Sequence, residues 1–169
     1  MASSSRRCRA ITQAAPGDVI VVQTNGSRLA ALGDVLSAEA YRRGLAGIIV
    51  DGFIRDSRDL PPRFPVWARG AVPNVGRSDV APDVGAPILL GGVPITPGAI
   101  VLADHDGIVS APQARLDACV EPAQEIARTD AALRDRINQG RSLLDMSSLV
   151  DHVAAMRSGR RSALAIDPF

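Results

Sequence analysis

The sequence predicts an α/β domain, in which helices pack against a layer of strands. Short runs rich in valine and isoleucine, at residues 18–23 and 46–50, are typical of buried strands. Two longer segments near the C-terminus carry apolar residues at helical spacing. Hydrophobic residues make up 46% of the 169 residues, which is enough to bury a core. We therefore expect one domain over residues 1–169, with mobile ends at residues 1–9 and 158–169.

The charge and cysteine content narrow the choice of partners. The formal net charge is +1, so no overall field favours a nucleic acid or a membrane surface. No apolar run approaches the roughly 18 residues that are needed to span a bilayer. The two cysteines, Cys8 and Cys119, make neither a disulfide framework nor a zinc site. We expect a protein of the reducing cytoplasm that binds neither nucleic acid nor membrane.

Lysine is absent, and all nineteen basic residues are arginines. This composition excludes a lysine Schiff base and a P-loop lysine. If the protein stabilises a carbanion, it must therefore use a metal ion or hydrogen bonds.

The first part of the chain predicts a strand–helix–strand unit. A strand at Asp18–Gln23 is followed by a loop at Thr24–Leu32 and by a helix from Asp34 to about Arg43. Gly44 is placed to end that helix, and Ala46–Val50 forms the next strand. This spacing predicts a parallel strand pair joined by a right-handed crossover.

The middle of the chain predicts further strands. A strand at Pro65–Ala68 precedes a loop at Asn74–Pro87 and a strand at Ile88–Val93. Two apolar runs, Ile100–Ala103 and Ile108–Ala111, flank an Asp-Gly pair, which is a hairpin signal.

The last part of the chain predicts two helices. The first covers Gln113 to about Asn138, and Gly140 ends it. The second covers Ser142–Met156, whose leucines and valines fall on one side.

One group of polar residues is arranged as a binding site would be. Asp34 begins the predicted helix, and Arg55 and Asp56 follow the predicted return strand, with twenty residues between Asp34 and Arg55. A strand–helix–strand unit can bring its first and last residues to the same edge of a sheet. Two carboxylates and one guanidinium could therefore share a cleft that binds a divalent cation and an anionic substrate.

Simpler roles stay open for the same residues. Asp34 is suited to cap the helix, and Arg55 with Asp56 could be a solvated pair.

The free amides near Val35 and Leu36 could bind a substrate carboxylate at the helix start. A nucleotide-binding unit is a further alternative, but the loop before the helix lacks G-x-G-x-x-G.

Two other motifs have structural interpretations. Asp51-Gly52 is interpreted as a turn at the end of a strand. Asp104, His105 and Asp106 are potential metal ligands, but Gly107 after them favours the tip of a hairpin.

Three segments together resemble the RraA-like family, namely residues 33–56, 64–70 and 91–112. The likeness extends over roughly residues 10–146. The family includes the class II 4-hydroxy-4-methyl-2-oxoglutarate and 4-carboxy-4-hydroxy-2-oxoadipate aldolases. It implies a swivelling β/β/α domain that assembles as homotrimers, often hexamers, with sites between subunits. The family usually has a longer segment before its first matching strand, which leaves open that this chain lacks an N-terminal part of the fold.

The family motif of Asp, twenty residues, Arg and Asp appears here as Asp34, Arg55 and Asp56. The resemblance implies that Asp56 holds Mg²⁺ or Mn²⁺, largely through water, and that Arg55 contacts the substrate. It implies that Asp34 positions a metal-bound water and that the turn Gly33–Leu36 binds the α-keto acid through backbone amides. Ribonuclease-regulating members tend to lack the second Asp, so Asp56 favours the enzyme branch.

The resulting hypothesis is a metal-dependent carbon–carbon lyase that releases pyruvate. Its substrates would be 4-hydroxy-4-methyl-2-oxoglutarate-like α-keto acids, by retro-aldol cleavage, and oxaloacetate, by decarboxylation. Family aldolases also recruit a carboxylate from a neighbouring subunit, for which Glu125 and Asp130 are the candidates here. The alternative is a non-enzymatic regulator that binds a ribonuclease or another protein partner.

Overall fold

The structure is a computed structural model that describes residues 9–76 and 84–166. Residues 1–8, 77–83 and 167–169 lie outside the described part, and so do most of the predicted mobile N-terminus and the last residues of the tail. The chain divides into two compact units, Met1–Ala111 and Pro112–Phe169. The expectation of one domain stays a prediction.

The first unit is built on a parallel four-stranded sheet. Its strands are β1 (Val19–Gln23), β2 (Ala30–Leu32), β3 (Gly47–Ile54) and β4 (Val66–Ala71), and helix α1 (Asp34–Arg42) connects β2 to β3. β4 pairs with β3 along both halves, whereas β1 pairs with the first half of β3 and β2 with the second half. The predicted parallel pair is therefore confirmed.

Two strand predictions in this unit were wrong. Residues 24–32 are not all loop, because Ala30–Leu32 forms β2. Asp51-Gly52 is not a turn at a strand end, because both residues lie inside β3. Both errors arise because these strand segments are defined by pairing with distant residues rather than by local pattern.

The core lies between α1 and the sheet. Leu36 of α1 packs against a cluster that includes Ala40 of the same helix and Ile48 and Val50 of β3. Gly44 adopts φ 76°, and the amide of Leu45 donates to the carbonyl of Ala40, which ends the helix as predicted. The buried members of the cluster are Ile11, Leu32, Ala40, Leu45, Ile48, Val50, Ile54 and Phe64.

Two antiparallel hairpins complete the first unit. They are β5 (Ile88–Leu90) with β6 (Val93–Ile95), and β7 (Ile100–Ala103) with β8 (Ile108–Ala111). The second hairpin is as predicted. The predicted single strand at residues 88–93 was wrong, because Gly91-Gly92 takes φ values of 57° and 88° and turns the chain.

Side chains of the sheet hold both hairpins. Gln23, the last residue of β1, accepts a 3.2 Å hydrogen bond at Oε1 from the amide of Leu89. Trp67 of β4 donates a 3.0 Å bond from Nε1 to the carbonyl of Asp104. Because these side chains belong to paired strands, the hairpins have fixed attachment points on the sheet.

The second unit contains α2 (Gln113–Asn138) and α3 (Leu149–Arg157). The first helix is as predicted, whereas the second begins seven residues later than the predicted start at Ser142. Ser148 and Ala165 exchange hydrogen bonds, which include the amide of Ser148 donating to the carbonyl of Ala165 at 2.9 Å. Among the residues that the structure describes, no helix is both long and apolar enough to cross a bilayer.

Candidate active site

The candidate site begins at the turn between β2 and α1. Gly33 is the N-cap residue of α1, in an extended conformation with φ −142° and ψ −167°. Asp34 is the first helical residue, so its predicted role as the N-cap was wrong. Its carboxylate instead lies in the first turn, where negative charge is favourable to the helix dipole.

A buried serine fixes this turn. The hydroxyl of Ser37 donates a 2.9 Å hydrogen bond to the carbonyl of Gly33, and the Ser37 side chain is fully buried. The carbonyl of Gly33 also accepts the amide of Ser37 at 3.2 Å. The position of Gly33 is therefore defined by the helix that follows it.

The other side of the site follows the end of β3. The amide of Arg55 donates a 2.8 Å bond to the carbonyl of Leu32, the last residue of β2. Asp56 then takes φ 53°, a left-handed conformation that Asp tolerates better than most residues. The amide of Asp59 donates to the carbonyl of Asp56 at 3.0 Å, so the chain turns back at once.

The two sides meet at Gly33. Arg55 Nε lies 3.2 Å from Asp56 Oδ2, and both side chains are partly exposed. A Cβ placed on Gly33 would lie 2.8 Å from Asp56 Oδ2 and 3.0 Å from Arg55 Nε. The ion pair therefore packs directly on the Gly33 backbone, where a side chain would displace it.

A pocket of about 380 Å³ opens beside this ion pair. It is lined by residues 55–59 and 71–73, so Arg58 and Asp59 join Arg55 and Asp56. The sequence analysis did not include Arg58 and Asp59 in the site. The segment RDSRD at residues 55–59 contains the Arg-Asp pair twice, which could have indicated them.

The remaining predicted site residues lie on α1, outside the lining of that pocket. Among the described residues, the Asp34 carboxylate has no ion-pair partner. Val35 is 69% exposed, whereas Leu36 packs against the core. Among the residues that the structure describes, no side chain caps α1, so its first amides keep their capacity to bind an anion.

Asp56 has the character of a ligand for a hard cation. Only its Oδ2 is engaged with Arg55, and its side chain is 33% exposed. In the described ranges, no three His, Cys, Asp or Glu side chains form a group that could hold a metal ion by themselves. Mg²⁺ commonly keeps several waters and takes one or two carboxylates, and the carboxylates of Asp56 and Asp59, which both line the pocket, are ligands of that type.

A second Arg–Asp pair in the same unit is different. Asp51 Oδ1 accepts a hydrogen bond from Arg69 Nε, and Oδ2 accepts one from the amide of Gly91. The Gly91 amide, aided by the Arg69 guanidinium and opposed by burial, lowers the pKa of the Asp51 carboxyl. Each oxygen of Asp51 therefore has a protein partner: Oδ1 is bonded to Arg69 of β4, and Oδ2 holds the turn of the β5–β6 hairpin.

The acidic loop at Asp104 is the tip of a hairpin, as predicted. Asp104 Oδ1 accepts hydrogen bonds from the amides of Asp106 and Gly107, at 2.8 and 3.1 Å. Glu125 and Asp130, the candidates for a carboxylate donated to another subunit, are exposed on α2, and Glu125 pairs with Arg128. Their role across subunits stays a prediction.

The sequence of this chain is similar to those of known proteins. A family model described as RraA-like, Aldolase/RraA, matches residues 2–110. A 4-hydroxy-4-methyl-2-oxoglutarate aldolase of Thermus thermophilus is 35% identical over 100 residues, which are 57% of this chain and 60% of that protein. A Halalkalibacterium halodurans protein, provisionally given the same name, is 34% identical over 126 residues, which are 73% of this chain and 60% of that protein.

A solved structure extends the comparison. RraAS2 of Streptomyces coelicolor, described as an unusual member of the RNase ES inhibitor RraA protein family, is 34% identical and superposes with a TM-score of 0.68. The match covers 78% of this chain and 69% of that one. The chain spans 60% of the length of the two curated relatives.

Proposed function

The chain belongs to the RraA-like family, and on that premise we propose that it is a divalent-metal-dependent carbon–carbon lyase. It cleaves 4-hydroxy-4-methyl-2-oxoglutarate-like α-keto acids by a retro-aldol reaction, decarboxylates oxaloacetate and releases pyruvate. The observation that carries this proposal is the Arg55–Asp56 pair, which packs on Gly33 and lines a pocket. The aldolase names of two relatives support it.

The cation would be Mg²⁺ or Mn²⁺, held by Asp56 and, through water, by Asp59. Two arginines and two aspartates line the pocket, so their formal charges cancel. With a divalent cation the pocket would carry a charge of +2, which matches a substrate with two carboxylates. When bound, such a cation polarises the ketone of the substrate and stabilises developing negative charge by several kcal/mol.

The residues of the chain supply binding and orientation. The guanidinium of Arg55 binds the carboxylate of the α-keto acid, because its free N–H groups suit a planar anion. The first amides of α1, near Val35 and Leu36, add oriented donors at the same end of the substrate. Ser37 keeps these amides in place through its bond to the Gly33 carbonyl.

The retro-aldol step needs one proton to leave the hydroxyl on C4 of the substrate. As the C3–C4 bond breaks, its electron pair passes to C3 and is delocalised into the ketone, while C4 becomes a carbonyl carbon. The Asp34 carboxylate, which has no ion-pair partner in the described residues, holds the water that accepts the proton and returns it to C3.

The test is pyruvate release from 4-hydroxy-4-methyl-2-oxoglutarate and from oxaloacetate, with Mg²⁺ or Mn²⁺ and again after EDTA. We expect turnover with the cation and its loss after chelation, with recovery when excess cation is restored. Equal turnover with and without EDTA would reject the metal-dependent mechanism. If neither Mg²⁺ nor Mn²⁺ supports pyruvate release, the lyase proposal itself is rejected.

A non-enzymatic regulator is the second candidate, favoured by the similarity to RraAS2 of Streptomyces coelicolor. In that case the chain would bind a ribonuclease or another protein partner through the surface of a homotrimer or hexamer. Stoichiometric binding to a purified RNase E-type enzyme, with inhibition of RNA cleavage and no pyruvate release, would support this candidate. Sedimentation measurements would establish the assembly.

A further inference from the structure

A second arginine lines the pocket beside Arg55. Arg58 is exposed and, within the described ranges, has no acidic partner. Arg55 differs, because its Nε is engaged with Asp56 and its backbone amide is bonded to Leu32. The pocket therefore combines one arginine that is oriented by Asp56 with one that has no acidic partner among the described residues.

The backbone brings Arg58 to the pocket. The left-handed conformation of Asp56, with φ 53°, reverses the chain immediately after Arg55. The 3.0 Å bond from the amide of Asp59 to the carbonyl of Asp56 closes a four-residue turn that contains Arg58. Without this turn, the chain would leave the pocket along the direction of β3.

We propose that Arg58 binds the distal carboxylate of the substrate and so selects dicarboxylic over monocarboxylic 2-keto acids. The inference rests on the proposed function and assigns a second anion subsite within it. Arg55 and the first amides of α1 take the carboxylate next to the ketone, and Arg58 takes the one at the other end. A pocket of about 380 Å³ is within the usual size range for small-molecule sites.

The experiment compares two substrates that break the same bond. 4-Hydroxy-4-methyl-2-oxoglutarate carries the distal carboxylate, whereas 4-hydroxy-2-oxopentanoate lacks it and yields pyruvate and acetaldehyde. Arg58→Gln should lower kcat/KM for the first substrate by at least about 10-fold, because a charge-assisted hydrogen bond is lost. For 4-hydroxy-2-oxopentanoate, kcat/KM should change by less than about 2-fold, because this substrate has no distal carboxylate for Arg58 to bind.

The matched control is Arg42→Gln, which removes the same charge from the exposed end of α1, where Arg42 pairs with Glu39. It should leave kcat/KM for both substrates unchanged. Arg58→Gln with equal losses for both substrates, or with no loss for either, would overturn the assignment of Arg58 and leave the lyase intact.

Calorimetric binding of unreactive ligands separates the two proposals. Wild-type protein with Mg²⁺ should bind 2-oxoglutarate more tightly than 2-oxopentanoate, and Arg58→Gln should abolish most of that difference. If no pyruvate is released but this pattern is found, the lyase proposal fails and the subsite stands. If wild-type protein does not prefer the dicarboxylate, the subsite is rejected whatever the turnover.

Discussion

Two Arg–Asp pairs in the first unit have the same chemistry and different surroundings. In the Asp51–Arg69 pair both carboxylate oxygens accept hydrogen bonds, one from Arg69 and one from the amide of Gly91. In the Arg55–Asp56 pair one oxygen faces Arg55, and the pair packs on Gly33 beside an open pocket. In the first pair each carboxylate oxygen has a protein partner, whereas in the second pair, among the described residues, only one oxygen of Asp56 has one.

This difference distinguishes a carboxylate that stabilises the fold from one that can bind a cation. A carboxylate with a protein donor on each oxygen contributes to stability and has less to gain from a cation. A partly exposed carboxylate with a free oxygen can bind a hard cation together with water. The number of partners at each oxygen, rather than the Arg-Asp pairing itself, therefore distinguishes the candidate site from an attachment point of the fold.

Replacing Asp56 should have the largest effect on activity. Asp56→Asn keeps the shape of the side chain and removes the charge that would hold the cation. We expect kcat/KM for pyruvate release to fall about 10³-fold, in line with the several kcal/mol that a bound cation supplies. Thermal unfolding should shift little, because an exposed ion pair contributes only about 0–1 kcal/mol. A fully active variant would contradict the assignment.

Adding one methyl group at Gly33 should disturb the same pair sterically. The new Cβ of Gly33→Ala would lie 2.8 Å from Asp56 Oδ2, so the carboxylate must move. Because a displacement of about 1 Å at a reacting centre can lower the rate about 10²-fold, we expect a loss of activity of that order. The backbone at Gly33 suits alanine, since its φ is −142°.

Gly107→Ala is the control for that substitution. A Cβ at Gly107 would meet no atom within 4 Å. We expect unchanged activity and unchanged thermal stability. Equal rates for the two alanine variants would mean that the packing at Gly33 has no catalytic consequence.

Replacing Asp51 should affect stability rather than the bound cation, and the effect should depend on pH. The pKa of Asp51 is lowered in the folded protein, so its charged form stabilises the fold above the unfolded-state value of about 3.9. That contribution is lost as the pH falls through the lowered pKa. Asp51→Asn should therefore reduce the free energy of unfolding at pH 7 by about 1 kcal/mol, a value discounted for the exposure of Arg69.

The measurement is denaturant unfolding of the wild-type protein and of Asp51→Asn, at pH 7 and at a pH well below 3.9. The difference between wild type and Asp51→Asn should shrink at the lower pH, because both side chains are then uncharged. A difference that is equal at both pH values would show that the Asp51 charge does not hold the hairpin.

Much of the strand–helix–strand unit was predictable, because its elements carry strong local signals. The β-branched runs of β1 and of the first half of β3 and the helix between them were assigned correctly. β3 continues beyond the predicted end to Ile54, so Arg55 follows the strand directly. β2 was missed because Ala30–Leu32 has only three residues and is a strand through its pairing with β3. Local propensity carries no information about that partner.

The details of the candidate site could not be predicted from the sequence and are seen only in the folded structure. Nothing in the sequence shows that Gly33 rather than Asp34 occupies the N-cap position, or that the ion pair packs on it. The left-handed conformation of Asp56, which adds Arg58 to the pocket, is likewise a property of the folded turn. By contrast, Gly91-Gly92 was a hairpin signal that the sequence already contained.

The most direct test is Mn²⁺ binding, measured by calorimetry or electron paramagnetic resonance in the presence of oxalate as a mimic of the pyruvate enolate. Wild-type protein and Asp51→Asn should each bind one Mn²⁺ per chain, and Asp56→Asn should bind none at the same concentrations. Retention of the ion by Asp56→Asn, or its loss from Asp51→Asn, would contradict the distinction between the two carboxylates.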